Sequence, residues 1–107
     1  MNEAVREALR EVGRLLRDHP TTGALSRDGK GKIVDYPESS EACSWCLLGA
    51  RERVAQQFTD NREYLEFNKY FTDIVFGNKL SSYIELWEGP GTSNETRQAI
   101  AEKLLNA

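Results

Sequence analysis

Ser39-Ser40-Glu41-Ala42-Cys43-Ser44-Trp45-Cys46-Leu47-Leu48-Gly49-Ala50 holds both cysteines, one of the two tryptophans and the longest uncharged run of the chain. Hydroxyls at Ser39 and Ser40 suit a helix N-cap, and Glu41 suits the positive end of the helix dipole. The spacing then predicts a helix from about Glu41 to Phe58, with Cys43, Cys46, Leu47, Ala50, Val54 and Phe58 on its inner side. Trp45, Leu48 and Gly49 widen that apolar surface. A glycine inside a helix costs about 1 kcal/mol relative to alanine, so Gly49-Ala50 reads as a place where another element packs against the backbone.

Upstream, Val5, Ala8, Leu9, Val12, Leu15 and Leu16 recur at three- and four-residue steps and predict an amphipathic helix over residues 2–18. Its outer arc alternates Glu3, Glu7 and Glu11 with Arg6, Arg10, Arg14 and Arg17, which sets Glu7 beside Arg10 and Glu11 beside Arg14. His19-Pro20 ends it, because the residue before a proline avoids the helical region. Between Thr21 and Pro37, Asp28-Gly29-Lys30-Gly31 lies between Leu25 and Ile33-Val34 and predicts a short β-hairpin or an extended loop. Gly23, Gly29, Lys30 and Gly31 do not have the spacing of a phosphate-binding P-loop.

Downstream, Tyr64, Phe67, Phe71, Ile74 and Val75 predict a helix over residues 61–76, stopped by Gly77-Asn78. A short apolar piece, Tyr83-Ile84-Glu85-Leu86-Trp87, runs into the Gly89-Pro90-Gly91 break. Thr92-Ser93-Asn94-Glu95 then has a capping-box pattern. Ile100, Ala101, Leu104 and Leu105 form the inner stripe of a last helix over residues 94–106. The expectation is a mainly α protein: one globular domain over residues 1–107, a compact bundle of about four helices with the hairpin or loop between helices one and two.

Composition narrows the function classes. A net charge of -3, from 17 acids interleaved with 14 bases, excludes a strongly basic nucleic-acid binder while leaving room for a local basic patch, and it disfavours a densely acidic DNA mimic. The charged, amphipathic N-terminus does not read as a secretory signal, and no apolar run reaches the roughly 18 residues of a membrane span. The expected location is the cytoplasm, with no membrane partner, where two cysteines are expected as reduced thiols.

Cys43-Ser44-Trp45-Cys46 has the spacing of a redox pair, and a place in the first turn of a helix would favour thiolate. No strand-helix alternation of the thioredoxin kind surrounds it, so two small buried hydrophobes is the stronger reading, with thiol-redox work as an alternative. For zinc the pair supplies half a ligand set and His19 is the one further soft ligand, so no metal and no cofactor is expected. His19 is expected at helix-end carbonyls rather than as a base. Asp28, Asp35 and Glu38 lack the spacing of an acid/base pair, and no nucleophile elbow is present, so no catalytic set is assigned. The arginine row Arg6, Arg10, Arg14 and Arg17 is the candidate nucleic-acid surface, set against an ordinary solvated face of weak ion pairs.

Gly23-Ala24-Leu25-Ser26-Arg27-Asp28 with Gly31 beyond, Cys43-Ser44-Trp45-Cys46-Leu47-Leu48-Gly49-Ala50 and Trp87-Glu88-Gly89-Pro90-Gly91-Thr92 together resemble a family of small uncharacterised phage and prophage proteins. That family has a glycine followed by an Ala-Arg-Asp-like stretch, a Cys-x-x-Gly-Ala helix and a Trp-Asn-Asp-x-Pro-Gly-Arg-Thr-like entry to the last helix. Glu88-Gly89 stands where the family has Asn-Asp. The resemblance covers most of the chain from Gly23 onward and implies phage origin rather than a mechanism.

The sequence reading is therefore a phage-like accessory protein that binds a macromolecular partner, a protein such as a host factor. Asp35, Tyr36, Tyr83, Trp87 and Glu88 form its expected contact surface, a polar pocket beside the Thr21–Asp35 loop. Nucleic acid, met by the arginine row, is the alternative partner.

Overall fold

The computed structural model describes residues 1–77 and 81–107. Its centre is α1 (Glu3–Asp18), capped by the Asn2 side chain accepting from Val5 N–H at 2.8 Å. Val5, Ala8, Leu9, Val12 and Leu16 are essentially without solvent exposure, as the periodicity predicts, and Leu15 is half-buried. The His19 N–H closes the helix on the Leu15 carbonyl at 2.8 Å. α1 packs against α2 (Leu47–Ala55), α3 (Asn61–Val75) and, most extensively, α5 (Asn94–Leu105). At the α1–α5 crossing a Cβ on Gly13 would lie 2.9 Å from the Ala101 carbonyl oxygen and from Leu105, so the two backbones meet where no larger residue fits.

Between α1 and α2 lies a two-stranded antiparallel ladder, β1 (Ser26–Arg27) with β2 (Ser44–Trp45), in the register Ser26 opposite Trp45 and Arg27 opposite Ser44. The predicted turn is present inside it. Arg27 bridges Ile33, Asp28 N–H donates to the Lys32 carbonyl at 2.8 Å, and Val34 N–H donates to the Ser26 carbonyl at 2.9 Å. The longer pairing, however, is with the stretch read as helical.

That pairing corrects the start of helix two from Glu41 to Leu47. Cys43 N–H donates to the Arg27 carbonyl at 2.7 Å, Trp45 N–H to His19 at 2.9 Å and Cys46 N–H to Leu25 at 3.1 Å. A backbone whose amides are committed to another segment cannot make helical bonds to its own. Ser39 caps a local turn instead, its hydroxyl accepting from Glu41 N–H at 3.2 Å, and the helix N-cap is Cys46. The helix also ends early, at Ala55, yet Phe58 still reaches the core against Phe67 with ring centroids 5.3 Å apart.

Trp45 and Arg53 tie down the 37–42 turns. The Trp45 indole N–H donates to the Pro37 carbonyl at 2.9 Å, and the Arg53 guanidinium lies 4.8 Å from the centre of the ring. Arg53 also donates to the Pro37 and Ser39 carbonyls at 3.0 and 3.1 Å.

α3 matches expectation, with Phe67, Phe71 and Val75 buried and Asp60 capping the amides of Arg62 and Glu63. Gly77 follows its C-cap, whereas the expected stop at Asn78 lies outside the described residues. The apolar piece at 83–87 is a fifth helix, α4 (Tyr83–Glu88), capped by Ser82. α5 is capped by Ser93, not by the Thr92–Glu95 box. The Ser93 hydroxyl accepts from Thr96 N–H at 3.2 Å, and the Thr92 hydroxyl instead reaches the Glu85 carbonyl at 3.3 Å. Among the described residues, no helix is long and apolar enough to cross a membrane.

The packing role read for Gly49 holds in a demanding form. A Cβ there would lie 1.9 Å from the Leu25 carbonyl oxygen. Gly49→Ala must push the Leu25 backbone, which leads into β1, off the first turn of α2, an overpacking cost of about 2 kcal/mol or more. Urea unfolding of the variant is expected to show the midpoint lowered accordingly; an unchanged midpoint would mean that the Leu25 backbone does not lie on this helix.

Candidate functional site

Three distant pieces of the chain meet at one cleft of about 260 Å³: Gly23, Ala24 and Leu25 leading into β1, Cys46, Leu47 and Leu48 at the start of α2, and Tyr83, Ile84, Trp87 and Glu88 on α4. Its walls are predominantly apolar. The close approach at Gly49 lays Leu25 against α2 and so fixes one wall.

The other wall is α4, fastened at its C-terminal end. Trp87 is 1% exposed, and its indole N–H donates to the Thr21 carbonyl at 2.7 Å. Arg97 holds the Trp87 carbonyl through Nε at 2.8 Å, and its guanidinium lies 5.7 Å from the centre of the indole ring. The Glu88 carboxylate accepts a hydrogen bond from Gly23 N–H. At the other end Tyr83 stacks on Phe71 with centroids 6.2 Å apart and meets Phe76 edge-on at 5.2 Å. Burial pushes the Tyr83 hydroxyl above its ordinary pKa, with Arg51 pulling the other way and Glu52 adding to the rise.

The residues expected at a contact surface divide. Tyr83, Trp87 and Glu88 line the cleft; Asp35 and Tyr36 do not, and both are exposed on the loop before β2. The pocket expected beside Trp87 and the Thr21–Asp35 loop is present, but it is apolar rather than polar, and Trp87 is a buried part of its wall rather than an exposed contact. Sequence reasoning missed Ile84, 69% exposed, and Leu25, Leu47 and Leu48, which line the same cleft. The four-residue steps Tyr83 to Trp87 and Ile84 to Glu88 were the available signal, since they put each pair on one helical face.

The cysteines separate. Cys43 is exposed, and its thiol contacts the Glu41 carbonyl at 3.5 Å. Cys46 is half-buried on the cleft lining, its sulfur accepting from Gly49 N–H at 3.4 Å. Cys43 does not match the expected buried hydrophobe, whereas Cys46, the N-cap of α2, is partly buried against the core. Burial pushes the Cys46 thiol up in pKa and Glu88 adds to the rise, against the pull of the Gly49 and Leu48 amides. A redox nucleophile needs the opposite shift.

His19 lies with its ring 6.3 Å from that of Trp45, nearly perpendicular to it. Each arginine of the α1 row has a carboxylate neighbour: Arg6 with Glu3 at 3.8 Å, Arg10 with Glu3 and Glu7 at 3.8 Å, Arg14 with Glu7 and with Glu11 at 2.8 Å, and Arg17 with Asp18 at 2.8 Å. The Glu7–Arg10 and Glu11–Arg14 pairs are those the helical spacing predicts. Arg14 and Arg17 are shifted up and Asp18 down, in each case first by the hydrogen bonds between the partners. The chain matches no protein-family model, no curated protein and no solved structure.

Exposure sets an order of thiol reactivity. Under native conditions near pH 8 a maleimide or aromatic disulfide should modify Cys43 about ten-fold or more faster than Cys46, the two becoming equal on denaturation. Equal native rates would contradict the placement of Cys46. Stability should also fall at alkaline pH. Cys46 and Tyr83 hold their protons more tightly folded than unfolded, so their contribution is complete below the ordinary thiol value of 9.0 and is lost as pH rises through the raised folded values. Urea midpoints measured from pH 8 to 11 should decline, and Cys46→Ala should flatten the earlier part of that decline whatever its effect at pH 7.

Proposed function

We propose that this protein is a small phage-type accessory protein of the cytoplasm that acts by binding another protein, and that the cleft between the Gly23–Leu25 segment and α4 is its contact site. The observation that carries the reading is the apolar rim. Ile84 is 69% exposed and Leu25 37% exposed, and both line the same preformed cleft. Exposed aliphatic side chains beside a concavity whose wall is tied down by three hydrogen bonds give a partner apolar area without much ordering cost. The phage assignment rests on the resemblance of the glycine, cysteine-helix and Pro-Gly motifs and on nothing in the geometry. Binding of nucleic acid through the α1 arginines has no comparable support, since carboxylates lie against all four.

Tagged protein and its Ile84→Glu variant, incubated with nuclease-treated bacterial lysate, provide the test. A stoichiometric protein partner recovered by the parent and reduced about ten-fold or more by Ile84→Glu, at unchanged stability, is the expected result. A partner retained equally by the variant would move the contact site elsewhere. Recovery that disappears with nuclease would replace the reading by the arginine face.

A further inference from the structure

The charged groups around the cleft are unevenly placed. Among the described residues Glu88 is the one charged residue on its lining, and Glu85 lies one turn earlier on α4, its carboxylate held by the Ser81 hydroxyl at 3.1 Å. Neither takes part in an ion pair among the described residues. Among the described residues, the nearby Arg27 and Arg97 direct their hydrogen bonds to groups other than Glu88. Arg27 donates to the Gly31 and Thr22 carbonyls at 3.0 and 3.1 Å, and Arg97 donates to the Trp87 carbonyl and to Asn94. Among the described residues only Oε1 of Glu88 is engaged, by Gly23 N–H. That bond orients the carboxylate at the edge of the apolar surface, with its second oxygen available.

We infer that the cleft takes a partner segment in which one aliphatic or aromatic side chain is followed or preceded directly by a lysine or arginine, the apolar group entering beside Ile84 and Leu25 and the cation meeting Glu88. This rests on the proposed function and names the chemistry of the partner. A volume of about 260 Å³ is below the range of roughly 300–1,000 Å³ typical of drug-sized ligands, and suits one large side chain rather than an extended ligand. The carboxylate then sets the preference of the site. An acidic neighbour would be repelled, and an uncharged one would leave Glu88 to water. The Cys46 thiol on the lining feels the same charge, its rise in pKa coming first from burial and in addition from Glu88. Glu88→Gln separates charge from structure, because the amide oxygen of glutamine can still accept from Gly23 N–H.

Blocked dipeptides serve as probes: acetyl-Leu-Lys-amide, acetyl-Leu-Glu-amide and acetyl-Ser-Lys-amide, each titrated into isotopically labelled full-length protein and followed by amide chemical shifts. The Leu-Lys peptide is expected to shift the amides of Leu25, Cys46, Leu48 and Ile84 saturably, with a dissociation constant about five-fold lower than that of Leu-Glu, and Ser-Lys is expected not to shift them. Glu88→Gln should bring Leu-Lys and Leu-Glu within two-fold. Equal midpoints for Leu-Lys and Leu-Glu on the parent protein would overturn the charge preference while leaving an apolar contact site in place. Shifts from Ser-Lys as large as those from Leu-Lys would overturn the apolar requirement. If no peptide moves the cleft amides at millimolar concentration, both this inference and the use of the cleft as a contact site fall.

Discussion

The contact between the Leu25 carbonyl and the backbone of Gly49 is the constraint on which the rest of the molecule depends. With the Leu25 carbonyl accepting from Cys46 N–H, a chain segment lies directly on the first turn of a helix, at a distance that only a residue without a side chain permits. From that crossing follow the register of β1 on β2, the late start of α2 at Leu47 and the wall of the cleft that runs from Gly23 to Leu25. A bulkier residue at 49 would disturb all three at once.

α4 depends on its surroundings in a different way. Six residues are too few for a helix to be stable by itself, because nucleation is unfavourable and few hydrogen bonds follow it. Its position comes from the Trp87 indole on Thr21, the Arg97 guanidinium on the Trp87 carbonyl, the Glu88 carboxylate on Gly23 and the aromatic stack under Tyr83. Three of these four restraints end on residues 21–23 or on α5, so the cleft is held between elements far apart in the chain. The same clasp that shapes the cleft also leaves Ile84 outside the core.

Legibility in the sequence followed the range of the interactions concerned. α1, α3 and α5 were readable because their buried positions repeat at helical spacing, and each boundary has a local cause: Asn2, His19, Asp60 and Ser93. The segment from Ser39 to Cys46 misled because serines and an acid before an apolar run resemble a helix start whenever the backbone amides are free. Here they are not, since Cys43, Trp45 and Cys46 donate to Arg27, His19 and Leu25, partners 16 to 26 residues earlier that no local pattern reveals. The candidate site was half readable for the same reason. Trp87 and Glu88 stand out beside the Pro-Gly break, but the cleft that Ile84 lines together with Leu25 and Leu48 exists only once the chain has folded.

The ladder of two-residue strands carries one more consequence. Long sheet edges with open amides and carbonyls recruit further strands and so lead to aggregation. Here each strand is two residues long, and the backbone beside it turns at once into other bonds: Val34 N–H to Ser26, Cys43 N–H to Arg27, Thr21 N–H to Trp45. Among the described residues, exposed Ile33 and Tyr36 therefore sit beside no extended edge on which a neighbouring molecule could continue the pairing. The fold can display apolar side chains at its surface while offering little template for cross-β growth.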